Sequence, residues 1–146
     1  MSFFDAIDIA ASGLTAERTR MDVTAENLAN AQTTNGPGGQ PYRRQEVVLQ
    51  QVGGSQFQTA LAGAVGAAPT PVGVQVSGIV SDPTPDQLVY DPGHPGANAQ
   101  GYVRMPNVNP VTEMTDLIDE SDSYQADVTA MNTAKTMFTK TLDLLK

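Results

Sequence analysis

The sequence predicts a mainly α fold with a small β insert, in which long N- and C-terminal helices form coiled-coil-like packing around a short antiparallel β segment. Three observations carry this. Both ends of the chain repeat apolar residues at helix spacing. All ten prolines and twelve of the thirteen glycines lie between Gly36 and Pro110. Within that stretch, short apolar runs alternate with turn residues, the mark of strands and loops. The division is therefore an N-terminal helical arm over 1–32, a Pro/Gly-rich β insert over 33–109 and a C-terminal helical arm over 110–146.

In the first arm, Ile7, Leu14, Met21 and Leu28 sit seven residues apart, flanked by Phe3, Phe4, Ala10, Ala11 and Ala25. Asp8, Thr15 and Glu26 mark the polar face. Gly13 weakens a helix by about 1 kcal/mol relative to alanine, but its bare Cα lets a neighbour come close. The exit, Thr33 to Pro41, is rich in glycine and proline, which supply the backbone angles of turns.

Three kinds of segment make up the insert. Tyr42 to Val52 reads as a strand centred on Val47, Val48 and Leu49. Residues 53–71 carry no charge and are biased toward glycine and alanine, the composition of a flexible loop or a segment that orders on contact. Val72, Val74 and Val76 alternate with small or polar residues, as in a half-buried strand. Leu88–Tyr90 and Tyr102–Met105 are shorter strand candidates. Between these last two, Pro92-Gly93 reads as the centre of a type II turn.

Asn109 and Pro110 open the second arm as cap and first-turn residue. Met114, Ser121, Val128, Lys135 and Leu142 repeat every seven residues, and Leu117, Tyr124, Met131, Phe138 and Leu145 repeat likewise, offset by three. Alternating threes and fours are the seam of a left-handed supercoil. Ser121 and Lys135 are weak seam residues, and Val111 with Ile118 forms a second strip beside it. Apolar residues on more than one side call for more than one neighbour, so these positions are candidate assembly contacts.

A net charge of −8, with acids at Asp116, Asp119, Glu120, Asp122 and Asp127, argues against nucleic acid as a partner. The acidic run reads as a solvated helix face, with a lining for a basic neighbour as the sharper alternative. There is no cysteine, which excludes disulfides and thiolate metal sites. No segment reaches the ~18–20 apolar residues of a membrane span, so direct membrane insertion is not expected. The start lacks a basic n-region, and Asp5 and Asp8 interrupt any apolar core, so no cleavable signal peptide is visible. His94 is the one histidine. With Asp82, Asp86 and Asp91 it could be imagined as a metal or acid–base site, but a lone histidine among turn prolines lacks a ligand pair on a rigid element. No catalytic, cofactor or metal residues are proposed.

Ala11-Ser12-Gly13-Leu14, followed by the run from Met21 to Asn30, resembles the N-terminal signature of bacterial flagellar axial proteins, the rod, hook and hook-associated subunits. Tyr42-Arg43-Arg44-Gln45, the blocks Leu88–Pro95 and Gly101–Val103, and Met105–Val111 with Glu113-Met114 resemble more narrowly the proximal rod proteins of the flagellar basal body. The C-terminal run from Tyr124 through Lys135 fits as well. The stretch Asp119–Ser123 lacks the basic residue common before the tyrosine of the C-terminal motif, and Asp127 stands where asparagine is frequent.

The resemblance implies a structural subunit of the periplasmic rod. It implies polymerisation through the terminal helices with itself and other rod subunits to transmit torque. It also implies delivery by the flagellar type III export apparatus. Asn27 and Asn30, in the signature, join the expected interface beside the striped residues. Two other classes compete. A non-catalytic helical adaptor would be a self-contained folded monomer, and a small hydrolase would need His94 in a pocket beside acids.

Overall fold

The computed structural model describes residues 3–36, 38–52, 64 and 73–143, with side chains from residue 5 onward. The expected loop over 53–71 therefore lies outside the described residues apart from Ala64, as does Leu145. Six elements follow in order: α1 (Phe3–Ala29), β1 (Gln45–Gln51), β2 (Val74–Ser81), β3 (Gln87–Tyr90), β4 (Tyr102–Met105) and α2 (Pro110–Asp143). The predicted class is observed. Two long helices flank a short antiparallel insert.

The helices begin and end for local reasons. Asn109 Oδ1 accepts the Val111 N–H at 3.1 Å, the side-chain cap expected of it. At the end of α1, Asn30 Nδ2 donates to the Glu26 carbonyl. The exit loop then closes on itself, because the Tyr42 N–H returns to the Thr33 carbonyl at 3.0 Å. Gly38 and Gly39 take φ of 90° and 73° there, the left-handed region that favours glycine.

The insert forms two separate two-stranded sheets, β1–β2 and β3–β4. The Val52 N–H bonds the Gly73 carbonyl and the Asp82 N–H bonds the Arg44 carbonyl, so β1 and β2 run antiparallel. In the second hairpin Gln87 faces Met105, Leu88 Arg104, Val89 Val103 and Tyr90 Tyr102. Its turn departs from expectation. The His94 N–H does reach the Asp91 carbonyl at 3.3 Å, but Gly93 is not among the positive-φ glycines, as a type II turn requires. Asp91 Oδ1 accepts the Gly93 N–H instead and closes the turn from the side chain. His94 Nδ1 accepts the Gly96 N–H at 3.0 Å, which makes His94 a turn residue.

By internal contacts the chain divides into two compact units. The first contains α1 as far as Thr19, the inner ends of β1 and β2, and α2 from Glu120. Ala16 and Glu120 are its buried residues among those described. The second contains α1 from Arg20, the outer ends of β1 and β2, the β3–β4 hairpin and α2 as far as Asp119. Val23, Asn27, Val103, Pro106, Val108 and Glu113 are buried in it. Large apolar side chains are exposed in both units, including Ile79, Leu88, Ile118 and Met137.

Candidate assembly surfaces

In the second unit, three separated sequence blocks meet at one side chain. Asn27, 1% exposed, donates from Nδ2 to the Gln45 carbonyl at 2.8 Å and to Glu113 Oε2 at 3.0 Å. Its Oδ1 accepts the Tyr42 hydroxyl and the Gln45 N–H, both at 2.9 Å. All four hydrogen-bonding positions of the amide are thus used inside the chain, as burial of a polar group requires.

Glu113, also 1% exposed, receives Arg44 Nε on its other oxygen at 2.6 Å. Arg44 is ringed by acids, with Asp116 at 3.6 Å, Asp82 at 3.9 Å and Glu46 in direct contact. Its backbone N–H reaches Asn107 Oδ1 at 2.8 Å, and Asn107 Nδ2 reaches the Thr84 carbonyl. Burial opposes the guanidinium charge, but the Glu113 hydrogen bond and the charges of Glu113 and Glu46 outweigh it and hold the Arg44 pKa above its usual value. Burial, reinforced by Glu26 and Glu113, pushes the Tyr42 phenol up to about 12. Hydrogen bonds from Thr84 hold the Asp82 carboxyl below its ordinary range.

The first unit has a smaller junction. Ser12 Oγ donates to the Ile9 carbonyl and accepts the Val74 N–H at 3.1 Å, so the start of β2 rests on α1. Beside it, a Cβ on Gly13 would come within 2.6 Å of Asp127 Oδ2. At Ser12-Gly13, β2 and α2 both approach α1.

The covered face of α2 differs from the expected seam in one of its two registers. Leu117, Tyr124, Met131 and Phe138 are half-buried as that register requires. The companion register is Glu113, Glu120, Asp127 and Ala134, one residue earlier than Met114, Ser121, Val128, Lys135 and Leu142. Apolar counting passes over it because three of its four members are acids. Glu120, 4% exposed, also departs from the solvated-face reading of the acidic run. Val128 is half-buried, whereas Met114, Ile118 and Leu142 are exposed at 47%, 63% and 47%.

On α1, Ile7, Leu14, Met21 and Leu28 are half-buried, as is Asn30 just after it, and Asn27 is wholly engaged within the chain. Arg44, Tyr42, Asn107 and Glu113 were legible only as members of motif blocks. Periodicity assigns them no role.

The outward face of α2 is less polar than its composition. Thr129 and Thr133 donate to the carbonyls four residues earlier, each at 2.8 Å, and so turn their methyls outward. With Ala126, Ala130 and Met137 they line a shallow, mostly apolar groove. Among the described residues, no group of His, Cys, Asp or Glu could hold a metal ion.

Comparison with known proteins places these features. Residues 99–144 match the family described as flagellar basal body rod FlgEFG protein C-terminal. Residues 7–37 match the family described as flagella basal body rod protein. The chain is 45% identical to the flagellar basal-body rod protein FlgC of Yersinia enterocolitica over 144 residues, covering 99% of this chain and 98% of that one. It is 46% identical to FlgC of Escherichia coli O6:H1 with the same coverage. Against FlgC of Bacillus subtilis it is 45% identical over the whole of both chains.

Proposed function

The chain belongs to the FlgC family of flagellar basal-body rod proteins, and from that premise we propose that it is a structural, non-enzymatic subunit of the rod. It polymerises through its terminal helices, with itself and with other rod subunits, and passes torque along the shaft. The observation that carries this reading is the exposed apolar surface of α2. Val111, Met114 and Ile118, one stripe at helix spacing, are 47–67% exposed in a single subunit, and contiguous exposure of that kind marks an interaction surface. Tiled helices resist shear because sliding breaks many side-chain contacts at once.

The two junctions support a division of labour. Asn27, Glu113 and Arg44 hold α1, the insert and α2 in a fixed arrangement within the second unit. The outward stripes of the helices then meet neighbouring subunits. No helix among the described residues is long and apolar enough to cross a membrane. The subunit reaches the periplasmic rod through the flagellar type III export apparatus.

The test is deletion of this chain in its own organism. Basal bodies isolated from the deleted cells should lack a completed rod by electron microscopy, and the intact chain should restore it and be found in the particles. Normal rods without the chain would overturn the reading and favour the adaptor.

A further inference from the structure

The exit turn after α1 carries a dipeptide found nowhere else in the chain. Of the seven asparagines, Asn35 alone precedes a glycine. The side-chain amide of an asparagine is open to attack by the backbone nitrogen of the next residue, and glycine sets no side chain in the way. Asn35 is also exposed.

The other six are badly placed for that reaction. Asn109 precedes proline, whose nitrogen has no proton to lose. Asn27, Asn30, Asn98 and Asn107 hold their side-chain amides in hydrogen bonds within the chain. Asn132 lies inside α2, where the helical ladder holds the following N–H.

At Asn35 the attacking nitrogen is restrained by the turn. The Gly36 N–H donates to the Gln40 carbonyl at 2.7 Å, and the Gly39 N–H returns to the Gly36 carbonyl at 3.0 Å. The nitrogen must lose its proton and swing toward the side chain to attack, and a bonded N–H does neither. An opened turn frees it, and exposed turns open locally at small cost.

We infer that Asn35-Gly36 is a self-modification site, held slow in the folded chain by the Gly36–Gln40 hydrogen bond and released when the exit turn opens. The Gly36 nitrogen bonds Asn35 Cγ as the Cγ–Nδ2 bond breaks. Its proton passes through solvent to the departing nitrogen, which leaves as ammonia, and a cyclic imide remains. Water then opens the imide at either carbonyl, giving aspartate or isoaspartate at position 35. Nothing is oxidised or reduced. Either product adds a negative charge to a chain already at −8. Isoaspartate also inserts a methylene into the backbone, which displaces the Gly36 N–H from the Gln40 carbonyl. The turn leads to Tyr42, whose hydroxyl bonds Asn27, so the change loosens one side of that junction. The inference is independent of the rod reading.

The test is peptide mapping of the purified full chain, aged in mildly alkaline buffer with and without denaturing urea. Trypsin, cutting after Arg20 and Arg43, carries Asn35 on the peptide Met21–Arg43. Conversion of Asn35 to the acid should run roughly tenfold faster in urea than in the folded chain, equivalent to about 1.4 kcal/mol of turn opening. Gly36→Ala should suppress it in both. Gly39→Val isolates the turn. Gly39 has φ +73° and no described atom within 4 Å of an added Cβ, so valine strains the backbone alone. It should raise the folded rate toward the urea rate and leave the urea rate unchanged. Absence of the acid at Asn35 in urea would overturn the site. Equal folded and urea rates in the parent, or an unchanged folded rate in Gly39→Val, would overturn the protection by the turn.

Discussion

Asn27 and Glu113, 86 positions apart in the chain, share a buried hydrogen bond of 3.0 Å. It joins the end of the N-terminal helix to the start of the C-terminal one, with the Gln45 backbone and the Tyr42 hydroxyl bonded to the same amide. Removing a buried partner costs more than the bond is worth, because the groups left behind stay desolvated. Asn27→Ala strands four partners at once, so a loss of about 3 kcal/mol is expected in urea unfolding of the purified subunit. Asn27→Asp should be worse, since it sets a second carboxylate beside Glu113. Unfolding midpoints within error of the parent would show that the junction does not hold the fold.

Gly13 makes an opposite prediction about a usually helpful change. Glycine to alanine inside a helix normally stabilises by about 1 kcal/mol. Here the new methyl would press on the Asp127 carboxylate, 2.6 Å from the Cβ position. Gly13→Ala should therefore gain nothing alone, and should gain about 1 kcal/mol in an Asp127→Ala background. Equal effects in both backgrounds would break the claimed contact.

Alkaline stability should report Tyr42. Its folded pKa of about 12 lies above the ordinary 10.0. Below pH 10 the phenol is protonated in both states and its contribution is complete. Between about pH 10 and 12 the unfolded chain loses the proton while the folded chain retains it, so stability falls with rising pH. Tyr42→Phe should be less stable at neutral pH, through loss of the bond to Asn27, yet should show a shallower decline across this window. An unchanged slope would mean that Tyr42 is not the group responsible.

Neighbouring residues on α2 should separate folding from assembly. Ile118 is 63% exposed and Leu117 is half-buried within the single subunit. Ile118→Asp should leave the urea midpoint within about 0.5 kcal/mol of the parent while cells lose rods and motility. Leu117→Asp should destabilise the subunit itself by about 2–3 kcal/mol, through lost burial and an added charge. Motile cells carrying Ile118→Asp would show that the exposed stripe is not an assembly contact.

Much of the architecture was legible in the residues. Proline and glycine confined to the middle leave only the ends free for long helices, and the short alternations between turn residues place β2, β3 and β4. The start of β1 was read three residues early. Tyr42 and Arg44 look extended in sequence, but their side chains and backbone serve the Asn27 and Asn107 junction before the ladder begins. A short antiparallel sheet or hairpin was expected, and the insert forms two separate two-stranded sheets, because strand propensity does not encode which strands pair. Glu113 and Glu120, covered within the single subunit one residue before Met114 and Ser121, were passed over for a plainer reason. A carboxylate on the covered face carries no hydrophobic signal.

What the sequence determined by itself was therefore local: where helices can run, where the chain must turn, which faces are apolar, and, through its motif blocks, the family of axial proteins it resembles. Tertiary structure decided which polar residues are inside. Asn27, Glu113 and Glu120 are as hydrophilic as any surface residue, and composition or period has no means of distinguishing them. Their burial depends on partners supplied from elsewhere in the chain, as when Arg44 and Gln45 reach Glu113 and Asn27. A buried amide or carboxylate is tolerable only when such partners arrive together, and that coincidence exists only in three dimensions.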